Sequence, residues 1–219
     1  MSINKNIILP KRWNNDLAYF CGLILGDGSL PKAFTKRPNG KIQKRHLIYF
    51  FCNSLNFCKE VYIPLFVRLF NINPRLEIRK KKDRKILYNC PIESKKIYLF
   101  LKNKGITTGK KAKIAKIPNL PKKYYAPLLT GLLDTDGGKK GSGFGLSTAS
   151  KYLAKFCDNM FKQFKFSYHS CPWKYNNHVY HQIYIHKKDF YKILKYIPLK
   201  NKEKVDFIKS APMAQSVEH

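Results

Sequence analysis

Asp27 and Asp136 stand 109 residues apart, and each ends an apolar run in the same manner: "LAYFCGLILGDG" leads to the first and "APLLTGLLDTDG" to the second. A carboxylate at the C-terminal end of a helix faces the negative end of the macrodipole, which is unfavourable by about 0.3–1 kcal/mol. The chain makes this choice twice. Two carboxylates brought together would repel each other, and the remedy that chemistry offers is a divalent cation. Oxygen-only ligands point to Mg2+, with Mn2+ able to substitute.

The runs that must carry these acids are apolar on nearly every face, with Leu17, Phe20, Cys21, Leu23, Ile24 and Leu25 in one and Leu128, Leu129, Leu132 and Leu133 in the other. Such helices belong inside a protein. Asn15 or Asp16 can cap the first, Pro127 suits the opening turn of the second, and Gly28 and Gly137 end them. Gly22 and Gly131 occupy matching positions, and a mid-helix glycine costs about 1 kcal/mol relative to alanine. Close approach of the two helices is the compensating gain. Side by side, they would bring Asp27 and Asp136 to one end.

The flanking elements repeat as well. After the first run come a strand at 46–51, a helix at 55–70, strands at 75–79 and 86–92 and a helix at 94–103. After the second come a strand at 143–147, a helix at 150–164, strands at 166–173 and 179–186 and a helix at 188–196. The expected fold is α+β: two pseudo-symmetric αββαββα halves with antiparallel sheets and the two acid-bearing helices at their interface. The halves are expected at residues 1–104 and 125–219. Between them, residues 105–124 hold six lysines and two prolines and read as a basic linker. The first half carries roughly 16 more residues than the second, most of them in the hairpin after its acid.

Of the 219 residues, 43 are Lys or Arg and 13 Asp or Glu, a formal charge of +30. A surface this positive calls for a polyanion. No run reaches the roughly 18 apolar residues of a membrane span, so no membrane partner is expected. The N-terminal residues lack the pattern of a secretory signal, and an intracellular location is expected. The six cysteines form no C-x-x-C pair and fit no zinc module, which implies reduced, buried thiols. "GKKGSGFG" at 138–145 lacks the P-loop spacing. His181 and His186 fall on opposite faces of a strand and cannot share a metal.

With these residues in view, "FCGLILGDG" (20–28) and "LTGLLDTDG" (129–137) resemble the two motifs of a single-chain LAGLIDADG homing endonuclease. The resemblance covers about residues 13–208. It implies that the glycine-bearing helices form the interface of the two halves, that Asp27 and Asp136 bind metal, and that the backbone carbonyls of Gly26 and Thr135 contact it too. The sixth motif position is Leu25 in one copy and Asp134 in the other, so the halves are not equivalent. By the same resemblance, a basic residue lies near each scissile phosphate: Lys139 for one strand, Lys113 or Lys116 for the other. The implied activity is metal-dependent phosphodiester hydrolysis that breaks both strands of a long asymmetric site in double-stranded DNA, by a monomer encoded within an intron or similar element.

Strand alternation supplies candidate DNA contacts: Arg75, Glu77 and Arg79 against Leu76 and Ile78, and His178, Tyr180, Gln182, Tyr184 and His186 against Val179, Ile183 and Ile185. Lys44, Arg45, Lys81, Arg84, Lys85 and Lys140 add basic charge beside them. Two alternatives stay open at this level: an RNA maturase on the same fold, with intron RNA as partner, and a catalytically silent DNA-binding protein.

Overall fold

The structure, a computed structural model, describes residues 6–80 and 86–211. The first motif helix, α1 (Asn15–Gly26), is capped by Asn14, one residue ahead of the expected pair, whose side chain accepts from Leu17 N at 2.8 Å. Every residue from Leu17 to Leu25 in it is buried. Behind it come β1 (Gly28–Ser29), β2 (Lys32–Lys36) and β3 (Ile42–Cys52), then α2 (Leu55–Phe57), a π-helical turn (Cys58–Tyr62) and α3 (Ile63–Phe70). The single helix expected over 55–70 is therefore interrupted. Pro64 has no N–H to give to the preceding turn and its ring crowds the carbonyl four residues back, and a widened turn just ahead of it relieves both. The half closes with β4 (Glu77–Arg79), β5 (Leu87–Asn89), β6 (Ile92–Glu93) and α4 (Lys95–Asn103), capped by Ser94.

The second half repeats the order with α5 (Tyr125–Asp136), β7 (Gly138–Lys140), β8 (Gly143–Thr148), α6 (Lys151–Gln163), β9 (Tyr168–Tyr175), β10 (His178–His186) and α7 (Phe190–Tyr196). A further helix, α8 (Lys202–Ser210), has no counterpart in the first half and is absent from the sequence reading. Both sheets are antiparallel. One has the order β1-β3-β5-β4, with β2 and β6 also on β3, and the other is β7-β8-β10-β9. Asn176 and Asn177, with φ of 45° and 59°, make the turn that joins β9 to β10.

One continuous core runs through both halves, with α1 and α5 at its centre. Phe20, Phe50, Tyr62, Phe66 and Phe70 form an aromatic cluster under α1, Phe50 and Tyr62 stacking at 4.0 Å and 6°. The six cysteines are free thiols, and all but Cys171 are buried. Among the described residues, no helix is long and apolar enough to cross a membrane.

Candidate metal centre and nucleic-acid interface

Helices α1 and α5 pack along each other more extensively than any other pair of elements. The glycines allow it: a Cβ on Gly22 would strike the Leu128 carbonyl oxygen. Four residues on, a Cβ on Gly26 would strike Thr135 Oγ1 and come within 3.4 Å of Asp136 Cγ. Since Gly22 meets Gly131 and Gly26 meets Thr135, the helices are parallel, and their C-termini arrive together. Two dipole ends and two carboxylates then share one place, a concentration of negative charge that needs cations.

Both acids are partly buried. Burial is the main force raising Asp27, opposed by the charges of Lys204 and Lys111. Burial and then the charge of Asp27 push Asp136 up to about 6, against Lys111, Lys204 and Lys140. Both carboxyls are thus held above the usual carboxylate range.

Two lysines answer the charge, and neither was singled out from the sequence. Lys111 donates from Nζ to the carbonyls of Ile24, Leu25 and Gly26 at 2.5, 2.6 and 2.7 Å. Lys204, from α8, donates to Leu133 O at 2.9 Å and Thr135 O at 2.5 Å. Neither motif helix has a basic residue in its own last turn, so both borrow a cap from elsewhere in the chain. Burial lowers both ammonium groups to about 8, which leaves them charged at neutral pH.

Asp134, the acid at the sixth motif position, does a separate job. It is 1% exposed and accepts from Tyr19 Oη at 2.7 Å, from Lys200 N at 2.9 Å and from Asn201 N at 3.0 Å, while Asn201 Nδ2 returns a bond to its backbone carbonyl. The side chain ties α5 to α1 and to the segment that leads into α8. Leu25 at the matching position of α1 makes no such tie. The inequality of the halves therefore has a structural meaning: only the second half holds an added helix.

The lysines that the resemblance singles out have partners of their own. Lys113 Nζ lies 3.1 Å from His178 Nδ1 on β10, and Lys116 Nζ sits 4.4 Å from the Tyr152 ring centre beside α6. Lys111, two residues ahead of Lys113, is the linker lysine that reaches the acids. Lys139 is exposed on β7 opposite Phe144, and Lys140 is the neighbour whose charge acts on Asp136.

The candidate contact residues divide by half. In the second sheet, the register puts His178, Tyr180, Gln182, Tyr184 and His186 on one face, with Tyr175, Trp173, Cys171 and His169 beside them on β9. Ile183 and Ile185, on the other face, are buried. Tyr184 packs between His169 and His186, at 5.2 and 5.5 Å. In the first sheet the expected alternation fails at β4. Ile78 is 60% exposed on β4, an edge strand of three residues. Glu77 instead gathers the polar groups, pairing with Arg75 at 3.1 Å and accepting from Asn89 Nδ2 at 3.3 Å. Arg79 lies over the Phe51 ring at 5.5 Å. Arg45 is held by Glu93 at 2.6 Å, while Lys44 is exposed. Lys81, Arg84 and Lys85 lie outside the described residues.

A hard divalent cation fits this centre on its donor chemistry. Two carboxylates and the carbonyl oxygens at the helix ends offer oxygen only, and the rest of a Mg2+ or Ca2+ shell ordinarily comes from water and phosphate. Among the described residues, no group of three or more His, Cys, Asp or Glu side chains could hold a metal alone.

Comparison with known proteins follows the same lines. Residues 123–198 match the sequence model of a LAGLIDADG-like domain. No curated protein matches the sequence. Among solved structures, the chain resembles I-DmoI in complex with DNA and Ca, with a TM-score of 0.60 and 20% identity over 84% of this chain and 88% of that one. It resembles the homing endonuclease I-WcaI bound to its DNA recognition sequence with a TM-score of 0.56 and 16% identity over 90% and 88%. Full-length DUF199/WhiA from Thermatoga maritima shares the fold at 0.52 and 15% over 89% of this chain and 59% of that one. Residues 123–198 are similar to a LAGLIDADG-like domain, and the chain as a whole has the fold of the LAGLIDADG homing endonucleases.

Proposed function

We propose that this protein is a site-specific DNA endonuclease that hydrolyses both strands of a long asymmetric duplex site with the help of Mg2+, for which Mn2+ substitutes. The observation that carries the reading is the convergence of Asp27 and Asp136 at the joined C-termini of two parallel buried helices. One chain supplies both acids, so a monomer suffices, with halves at 1–104 and 125–219 joined through 105–124.

Asp27 and Asp136 would hold the metal, with Gly26 O and Thr135 O as further oxygen donors. When bound, the metal supplies an activated water and offsets charge on the phosphate and its leaving oxygen. The protein supplies the rest. The burial that raises Asp136 makes the acid pair favour a cation over two bare charges. Lys111 and Lys204, each capping one motif helix and both acting on the two acids, would place positive charge where a scissile phosphate gains negative charge in the transition state. The faces carrying Gln182 and Tyr184 in one half and Arg79 in the other hold base-reading groups and fix the duplex in register. The DNA complexes of I-DmoI and I-WcaI support duplex DNA as the substrate.

One observation favours a second reading, a DNA-binding protein that does not cut: the Gly26 and Thr135 carbonyls are already taken by lysine ammonium groups. A randomised plasmid library incubated with the protein separates the two. The endonuclease linearises a subset of plasmids in Mg2+ and none in Ca2+, and Asp27→Asn or Asp136→Asn abolishes this while retaining DNA binding. Retention of duplexes with no cleavage in Mg2+ or Mn2+ would select the silent binder.

A further inference from the structure

Lys116 lines a cleft of about 490 Å³ between the linker and α6, with neither motif acid in its lining. That volume is within the ~300–1,000 Å³ of small-molecule sites. One wall is the stripe that Tyr152, Lys155, Phe156, Asn159, Met160 and Gln163 make along α6, at the three- and four-residue steps of a single helix face. The other wall comes from the chain between Lys116 and Tyr125. It is held in place: Ser150 Oγ donates to Ala115 O at 2.5 Å, and Pro118 and Leu120 are buried.

The lining is neither plain core nor plain surface. Phe156 and Met160 are buried at its floor, and Tyr125 meets Phe156 edge to face at 5.5 Å and 85°. Tyr152 stays 41% exposed, with the Lys116 ammonium 4.4 Å from its ring centre. Lys116, Lys122 and Lys155 are exposed around the cleft, and no carboxylate lines it. Asp158, the acid of α6, is engaged by Lys162 and Tyr168 instead. Asn159 and Gln163, one turn apart, are exposed amides that can each donate and accept. Aromatic and thioether surface takes a flat ring, amides suit the mixed donor and acceptor edge of a base, and ammonium groups suit a phosphate. A fatty acid would use the lysines and the apolar floor but leave the amides without a role.

We propose that this cleft binds a nucleoside phosphate, with its base against Tyr152 and the Phe156 and Met160 floor, its base edge toward Asn159 and Gln163, and its phosphate among Lys116, Lys122 and Lys155. The site does not depend on the endonuclease reading. Helix α6 packs on the side of the second sheet that buries Ile183 and Ile185, so the cleft lies in the helical layer and leaves the His178–His186 face to a duplex. The nucleotide is either free or an unpaired unit of a single strand, and both present the same chemistry.

The test is equilibrium dialysis of the full chain against radiolabelled adenosine, guanosine, cytidine and uridine 5′-monophosphates at physiological salt, with ribose 5-phosphate as the competitor that lacks a base. At least one nucleotide should bind about tenfold or more tightly than ribose 5-phosphate, and Tyr152→Ala should weaken it by a similar factor, within the usual loss for a stacking ring. Asn159→Ala/Gln163→Ala, which alters only exposed side chains, should weaken it and change which base is preferred. Lys174→Met, on β9, should bind as the parent does. A short single-stranded oligonucleotide that competes better than its monomer, with the same loss in Tyr152→Ala, identifies a strand as the source. An equal or weaker competitor identifies the free nucleotide. No nucleotide held more tightly than ribose 5-phosphate, or parental binding by both the Tyr152 and the double amide variants, overturns the proposal and leaves the endonuclease reading standing.

Discussion

Gly22 and Gly131 face each other across the helix pair, each Cα filling the space the other's side chain would need: a Cβ on Gly22 would stand 3.0 Å from Gly131 Cα, and one on Gly131 3.1 Å from Gly22 Cα. The obstacle at Gly22 is also the backbone oxygen of Leu128, which cannot swing aside. Gly22→Ala gains about 1 kcal/mol of helix propensity and loses more to the collision. Overpacking costs about 1–3 kcal/mol where side chains can adjust, and here they cannot. The urea midpoint should fall. A midpoint that holds or rises would show that the helices do not touch there.

Asp136 makes mild acid stabilising for the metal-free protein. Its carboxyl is at about 6 in the folded chain against an ordinary 3.8, so between those values the folded state binds more protons than the unfolded one. Stability should fall as pH rises through that window. Asp136→Asn should flatten the slope and melt higher than the parent at pH 7 in EDTA. Lys111 and Lys204 act with the opposite sign at alkaline pH: lowered to about 8 from 10.5, they add stability as pH rises between those values.

Metal binding should expel the proton that Asp136 holds. Titration of Mg2+ into the protein at pH 6, in two buffers of different ionisation enthalpy, should give heats that differ by a fractional proton released. At pH 8 the share from Asp136 should be gone, and any proton still released comes from Lys111 or Lys204, which lie at about 8. Equal heats in both buffers at pH 6 would place the cation away from Asp136.

Lys111 and Lys204 each serve one motif helix, and the two halves address opposite strands in the proposed reaction. Lys111→Met and Lys204→Met keep the aliphatic stem and remove the charge. Each should slow cleavage of one strand by about 10²–10³-fold, the usual loss for a transition-state donor, so nicked plasmid accumulates. Sequencing the nicks should show the two variants sparing opposite strands. Equal slowing of both strands by either variant would assign the lysines to helix capping alone.

Asp134→Leu, which copies the first motif into the second, leaves Tyr19 Oη, Lys200 N and Asn201 N without their acceptor. Buried donors left unpaired cost about 1–3 kcal/mol apiece in the worst case. Hydrogen exchange should quicken across 200–210, and the melting temperature should drop more than in Tyr19→Phe, where one bond is lost.

Much of this centre was legible in the sequence because it rests on local pattern. An apolar run with glycine at a fixed place and an acid at its end says helix, interior, close packing and misplaced charge, and the structure builds α1 and α5 accordingly. The long hairpin after the first motif was visible as surplus length. The break at Pro64 could have been read from the proline itself. Helix α8 had a signal too, in Asn201 followed by Val205 and Ile208, but a short polar helix after a completed repeat has no pattern to match.

By itself the sequence determined which residues are buried along the two motif helices, where their glycines fall and that two acids end them, since periodicity and side-chain size act within a few residues. Only the tertiary structure decided which lysines meet those acids, because six linker lysines look alike until the chain bends and one ammonium group finds the carbonyls of Ile24, Leu25 and Gly26. It likewise turned Asp134 from a motif acid into an anchor and left Ile78 in solvent. Those outcomes depend on what lies across a gap of tens of residues, and no local spacing carries that.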